Sequence, residues 1–181
     1  MQKTIMQKTI LCIDDFEQGL TIRKLMLQAH GYAVLTALSG PEGLALLESC
    51  EVALVILDYR MASMHGGEVA QVLKQKWPQL PIVMLSGYAS QVPAPVRSTV
   101  DAFLQKGERV DALFAEIERL IGPGEPSGQA VPDQSELIEQ IRSLSNQNGE
   151  AIAKADELIA RNLESVERRS ADRRSRKPQE Q

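Results

Sequence analysis

Five side chains in this sequence carry groups that could work together: the carboxylates of Asp14, Asp15 and Asp58, the hydroxyl of Ser86 and the ammonium of Lys106. Each stands at or just after the end of a short apolar run. Thr9-Ile-Leu-Cys-Ile13 precedes the acidic pair, Val52-Ala-Leu-Val-Ile-Leu57 precedes Asp58, Pro81-Ile-Val-Met-Leu85 precedes Ser86, and Val100 to Leu104 leads to Lys106. Three carboxylates brought close repel one another unless a cation is present, and hard oxygen donors suit Mg²⁺, which keeps several waters and is usually shared with phosphate. A carboxylate can attack phosphorus to give an aspartyl phosphate. A metal and a lysine would neutralise the transferring oxygens, and a serine hydroxyl could hydrogen-bond the product.

This chemistry requires residues far apart in the chain to meet, and the intervening elements supply the means. Unalternated, β-branched apolar runs are expected as strands buried on both faces of a parallel sheet. A further strand is expected over Tyr32 to Ala37. Between the runs lie helical stretches. Phe16 to His30 spaces Leu20, Lys24 and Leu27 as on one helix and stops at Gly31; Ser39 caps a helix carrying Pro41 in its first turn and running over Glu42 to Ser49. Glu68 to Trp77 ends at Pro78, Pro93 and Pro95 leave room for only a short or distorted fourth helix, and Glu108 to Ile121 is amphipathic. Five strand–helix repeats argue for an α/β fold, a parallel sheet covered by helices on both faces, with right-handed crossovers restricting the topology. The strand ends then share one edge, where ligand crevices form in such sheets.

In combination these features resemble the response-regulator receiver domain of two-component signalling over residues 8–122: the acidic pair after Ile13, Asp58 with Met61 and Gly66 behind it, Ser86-Gly87, and Phe103 three residues before Lys106. The resemblance implies a flavodoxin-like, doubly wound five-stranded sheet of order 2-1-3-4-5. It implies that Asp58 accepts a phosphoryl group from a histidine kinase or phosphotransfer protein, at most with Mg²⁺-dependent self-phosphorylation and self-dephosphorylation, and not as a turnover enzyme. Asp15 and Asp58 would bind Mg²⁺ with the backbone carbonyl of Arg60, and Asp14 would help, often through water. Ser86 and Phe103 would form the switch pair, and Arg60 and Tyr88 would flank the phosphoryl group. Two positions depart from the family's usual pattern, Ala62 and Gly107 standing where proline is common. Neither proline supplies reactive atoms.

Plainer roles exist for each residue. Asp14 and Asp15 could cap the first helix, Ser86 could serve a turn, Lys106 could be a solvated charge, and Phe103 could be core. His30 is expected at a helix C-terminus and His65 on the surface. A degenerate receiver used as an unphosphorylated scaffold is the alternative function. A flavin-type site is disfavoured, because the acidic loop after the first strand would repel a cofactor phosphate.

The chain has 181 residues, 43% of them apolar, and a net charge of −4, which points neither to general nucleic-acid binding nor to an acidic partner. Cys12 and Cys50 sit in apolar surroundings without metal-ligand spacing and read as reduced thiols of a cytoplasmic protein. No export signal or apolar run of spanning length is present, so no membrane insertion is expected. The opening Met1-Gln-Lys-Thr-Ile repeats at Met6 and reads as a start-site duplication.

Beyond the receiver, residues 123–134 are Gly- and Pro-rich and read as a flexible linker. Residues 135–169 carry an apolar stripe through Ile138, Ile141, Ile152, Ile159 and Val166, a candidate coiled coil able to form a homodimer or bind a partner. Asn148 and Asn162 could set its register, or Asn148-Gly149 could break it into a hairpin. Residues 170–181 are basic and read as a disordered, solvated tail, with nucleic-acid binding not expected. The cognate kinase and the downstream protein target are not legible.

Overall fold

The computed structural model describes residues 7–107 and 110–125. In chain order the elements are β1 (Thr9–Ile13), α1 (Glu17–Ala29), β2 (Ala33–Ala37), α2 (Gly40–Ser49), β3 (Leu54–Asp58), α3 (Gly66–Lys76), β4 (Ile82–Ser86), a 3₁₀ turn (Ala89–Gln91), α4 (Ala94–Arg97), β5 (Ala102–Gln105) and α5 (Val110–Ile121). The five strands form one parallel sheet in the order β2-β1-β3-β4-β5. This is the flavodoxin-like arrangement expected from the sequence. Parallel pairing with crossovers places the ends of β1, β3, β4 and β5 on one edge, and the register aligns Ile13 with Leu57, Asp58 with Leu85, and Ser86 with Gln105.

The unalternated runs are explained by burial. Every residue of β3 and β4 is buried, as are Ile10 to Ile13 of β1, because helices cover both faces. The flanking strands β2 and β5 are only partly buried. Helix starts follow local chemistry. Ser39 Oγ accepts from the Glu42 amide at 3.3 Å, and Glu42 Oε2 accepts from the Leu38 amide at 2.8 Å. Glu68 does the same for α3, accepting from the His65 amide at 3.0 Å. Pro93 and Pro95 hold α4 to a single turn.

Several element limits differ from the sequence expectation by one or two residues, and three of these have a local reason. Tyr32 lies outside β2; its ring is buried and its hydroxyl donates to the Gly122 carbonyl at 3.0 Å, tying the turn before β2 to the end of α5. β5 begins at Ala102, not Val100, since the Asp101 carboxylate accepts from the Ile82 amide at 2.8 Å and from Lys74 Nζ at 2.7 Å. α3 extends back to Gly66, where a close backbone approach demands glycine: a Cβ there would collide with the Asp58 carbonyl oxygen and stand 2.9 Å from Tyr59 Cα.

Residues 122–125, at the head of the expected linker, lie against the α1–β2 turn. Lys8 Nζ donates to the Pro123 carbonyl at 3.0 Å, and Gly31, with φ of +84°, leaves no room for a side chain beside Glu125. The rest of the linker, the amphipathic helix over 135–169 and the basic tail lie outside the described residues. Among the described residues no helix is long and apolar enough to cross a membrane.

The two cysteines are placed differently, and their reactivity follows. Cys12 is fully buried in β1, and burial pushes its thiol up to about 12, whereas Cys50 is half-buried after α2. Since the thiolate is the reactive form, a thiol reagent at neutral pH should modify only Cys50 in the native protein and reach Cys12 only on unfolding. Modification of both at comparable rates, read by peptide mass, would contradict the packing of β1.

Candidate functional site

The strand ends bring the expected residues together. Asp58 closes β3 and is 4% exposed; Asp14, just past β1, is 1% exposed, and its neighbour Asp15 is exposed. Ligand oxygens of Asp14, Asp15 and Asp58 all lie within 4.8 Å of one another. Ser86 closes β4 and is buried. The Lys106 amide donates to the Ser86 carbonyl at 2.8 Å, continuing the sheet by one bond, and its ammonium lies 3.0 Å from Asp58 Oδ1 and 2.9 Å from Asp14 Oδ2.

The loop after Asp58 folds back over the site. The Tyr59 amide donates to the Leu85 carbonyl at 2.9 Å, the Gly66 amide to the Tyr59 carbonyl at 3.0 Å, and the Ala62 amide to Asp15 Oδ2 at 2.9 Å. The last bond exists because residue 62 is not proline. The backbone of Arg60 also hydrogen-bonds the Asp58 carboxylate. Its guanidinium lies over the Tyr88 ring at 5.5 Å and donates to Gln91 Oε1 at 3.4 Å, so Arg60 and Tyr88 meet beside the site. Tyr88 is 58% exposed, leaving this flank open to solvent. Ser86 Oγ accepts from the Tyr88 amide at 3.2 Å. Phe103 is partly buried against the core, with the Arg97 guanidinium over its ring at 5.1 Å.

Capping does not account for the acidic pair. Asp14 Oδ1 accepts from the Phe16 amide at 3.1 Å, but α1 begins at Glu17 and its N-cap, Phe16, has no side-chain cap bond. Asp14 Oδ2 faces two cations, Lys106 and Arg23, whose Nη2 lies at 3.3 Å. Arg23 was not among the sequence candidates. Its signal was its phase in α1: it stands three residues after Leu20 and four before Leu27, the two buried positions of that helix, so it shares their inner face, which the spacing had given to Lys24. Its Nη1 is buried with no hydrogen-bond partner, a defect that costs about 1–3 kcal/mol.

These surroundings act on Asp58. Burial raises its proton affinity most, the Lys106 charge opposes that rise, and the Asp14 charge adds to it. The donor set fits a hard divalent cation: three carboxylates, one accessible from solvent, and no soft ligand in the group.

Comparison with known proteins agrees with this geometry. The family profile for the response regulator receiver domain matches residues 10–118. The transcriptional regulatory protein GlrR of Escherichia coli is 35% identical over 121 residues, which cover 65% of this chain and 27% of the relative, so the chain spans about a quarter of that protein's length. The photosynthetic apparatus regulatory protein RegA of Cereibacter sphaeroides is 27% identical over 165 residues, covering 88% of this chain and 90% of RegA. Among solved structures, response regulator TrrA of Thermotoga maritima, crystallised with Mg²⁺ and BeF, superposes with a TM-score of 0.60 at 31% identity, covering 62% of this chain and 98% of TrrA. TrrA in complex with histidine kinase ThkA gives 0.59 at 31% identity, covering 63% and 98%.

The raised proton affinity of Asp58 has a consequence for stability. A carboxyl whose folded-state value lies above its unfolded one contributes stability that is present below the unfolded value and lost as pH rises through the folded one. Ionising Asp58 in the folded protein is therefore a cost. Asp58→Asn should raise the metal-free Tm at pH 7 by a few degrees, and the gain should shrink toward pH 4. A lower Tm for the variant at pH 7 would mean that the attraction to Lys106 outweighs burial.

Proposed function

We propose, since this chain belongs to the response regulator receiver family, that it is a phosphorylation-switched signalling protein whose Asp58 accepts a phosphoryl group from a histidine kinase or phosphotransfer protein. The observation that carries this reading is the convergence of Asp14, Asp15 and Asp58 around the Lys106 ammonium at the sheet edge. A carboxylate oxygen of Asp58 attacks the phosphorus of a phosphohistidine; the P–O bond forms as the P–N bond breaks, and the electron pair returns to the donor's imidazole. Lys106, tied to the end of β5, supplies fixed positive charge where the phosphoryl oxygens arrive. Asp15, Asp58 and the Arg60 carbonyl would hold Mg²⁺, with Asp14 assisting, and the bound ion would supply further charge neutralisation for those oxygens.

In this reading Ser86 reports the event, supported by its bond to the Tyr88 amide. Its hydroxyl exchanges the Tyr88 amide for a phosphoryl oxygen, which draws in the β4–α4 loop. Phe103 then turns toward the space that loop leaves, changing the surface of α4, β5 and α5. Arg60 and Tyr88, already stacked beside the site, shield the aspartyl phosphate from water and slow its hydrolysis. The protein is regulatory, and its output is contact with another protein through the segment after the receiver, by dimerisation or partner binding. A second output reading, binding to DNA, is favoured by one observation: a match to the transcriptional regulatory protein ZraR of Salmonella typhimurium, 27% identical, extends over 89% of this chain, well beyond the receiver.

The test is intact mass after incubation with MgCl₂ and a small phosphodonor, for the native chain beside Asp58→Asn and Lys106→Ala. One phosphoryl group should add to the native chain, none to Asp58→Asn, and Lys106→Ala should label at least ten-fold more slowly. Assaying the phosphorylated chain for solution mass and for binding to duplex DNA separates the two outputs. No addition from either a small donor or a histidine kinase would return the chain to the scaffold reading.

A further inference from the structure

Asp14 is a carboxylate already spoken for. Oδ1 takes the Phe16 amide at 3.1 Å, and Oδ2 takes both Lys106 Nζ at 2.9 Å and Arg23 Nη2 at 3.3 Å. With Asp14 1% exposed, solvent contributes little to balancing its charge. Arg23 itself is mostly covered, its side chain 14% exposed, and its Nη1 is buried without a hydrogen-bond partner. An arginine held in this way is not there to stabilise α1, since a leucine at the same phase would pack with Leu20 and Leu27 and leave no orphaned donor. What it alters is the charge of the site. Lys106 alone would leave the three carboxylates with two formal negative charges unmatched; with Arg23 only one remains.

We propose that Arg23 is a second, built-in counter-cation of the acidic site, a positioning residue that holds Asp14 in the ion-free state and sets a low affinity for Mg²⁺. This rests on the reading of Asp14, Asp15 and Asp58 as the metal site. The guanidinium acts in two ways. It occupies the Asp14 oxygen that an incoming ion's hydration shell would otherwise engage, and it repels the ion across a poorly screened interior. Metal binding must therefore displace Arg23 from Asp14 or proceed against its charge. The partnerless Nη1 gives the displaced guanidinium a donor free to find a new acceptor.

The test is calorimetric titration of the full chain with MgCl₂ at fixed ionic strength, with no phosphodonor, for the native protein, Arg23→Leu and Arg23→Lys. Arg23→Leu should bind Mg²⁺ about ten-fold more tightly, equivalent to ~1.4 kcal/mol. Arg23→Lys, which keeps the charge, should stay within about two-fold of native. Should Arg23→Leu fail to fold, Arg23→Gln removes the charge while keeping a donor and should tighten binding likewise. The Arg23 Nε–H resonance of the native chain should also move with the calorimetric midpoint. Unchanged or weaker Mg²⁺ binding in the charge-removing variants, or an Arg23 resonance that does not respond, overturns the proposal. Mg²⁺ binding by none of the proteins, including the native one, overturns instead the metal-site reading on which it rests.

Discussion

The Lys106 ammonium spans two buried carboxylates, Asp58 at 3.0 Å and Asp14 at 2.9 Å, and the arrangement of the sheet edge depends on that bridge. Asp14 and Asp58, with oxygens within 4.8 Å, repel by about 3 kcal/mol at an effective dielectric of about 20. The direct attraction at 3 Å is larger on the same scale, about 5 kcal/mol before the cost of desolvation, so one lysine reaching both offsets that repulsion. To reach both it must lie at the end of β5, beyond β4, while its partners end β3 and β1. In the order β2-β1-β3-β4-β5, β5 stands two strands from β3 and three from β1, so the long lysine side chain reaches across the end of β4. Fold and site are in this sense one constraint: any register slip in β5 would turn the lysine away from the carboxylates.

The same constraint leaves the site poised. Burial raises the proton affinity of Asp58 while Lys106 lowers it, so its carboxylate gains from any added cation. A divalent ion held there would relieve the remaining repulsion between the carboxylates. The flanks differ in exposure. Ser86 is buried and already holds the Tyr88 amide, so a change at its hydroxyl is felt in the backbone of the next loop. Arg60 and Tyr88 are linked to each other and to Gln91 on the open side.

Much of this was legible in the sequence because it is written in strand interiors. Runs such as Leu54 to Leu57 have no polar alternation to confuse the reading, and each stops at a residue with a reactive group. The short fourth helix was equally plain from Pro93 and Pro95. Less legible were features made by long-range side-chain contacts. Tyr32 reads as a strand residue by propensity, yet its hydroxyl is committed to Gly122; Asp101 stands inside an apolar stretch but takes the first amide of β4. Arg23 was hidden because long cationic side chains on helices are ordinarily solvated, and only its phase between Leu20 and Leu27 showed otherwise. The residues after 125 carry heptad-like spacing that does not by itself name an occupant for the apolar stripe.

The most direct test of the central claim is the carboxyl ¹³C titration of Asp58 by NMR, in the metal-free chain and again with saturating MgCl₂. The account predicts that Asp58 titrates above the ordinary carboxylate range without metal and that Mg²⁺ drives its titration to lower pH. An Asp58 that titrates at or below the ordinary range without metal, and is indifferent to Mg²⁺, would contradict it.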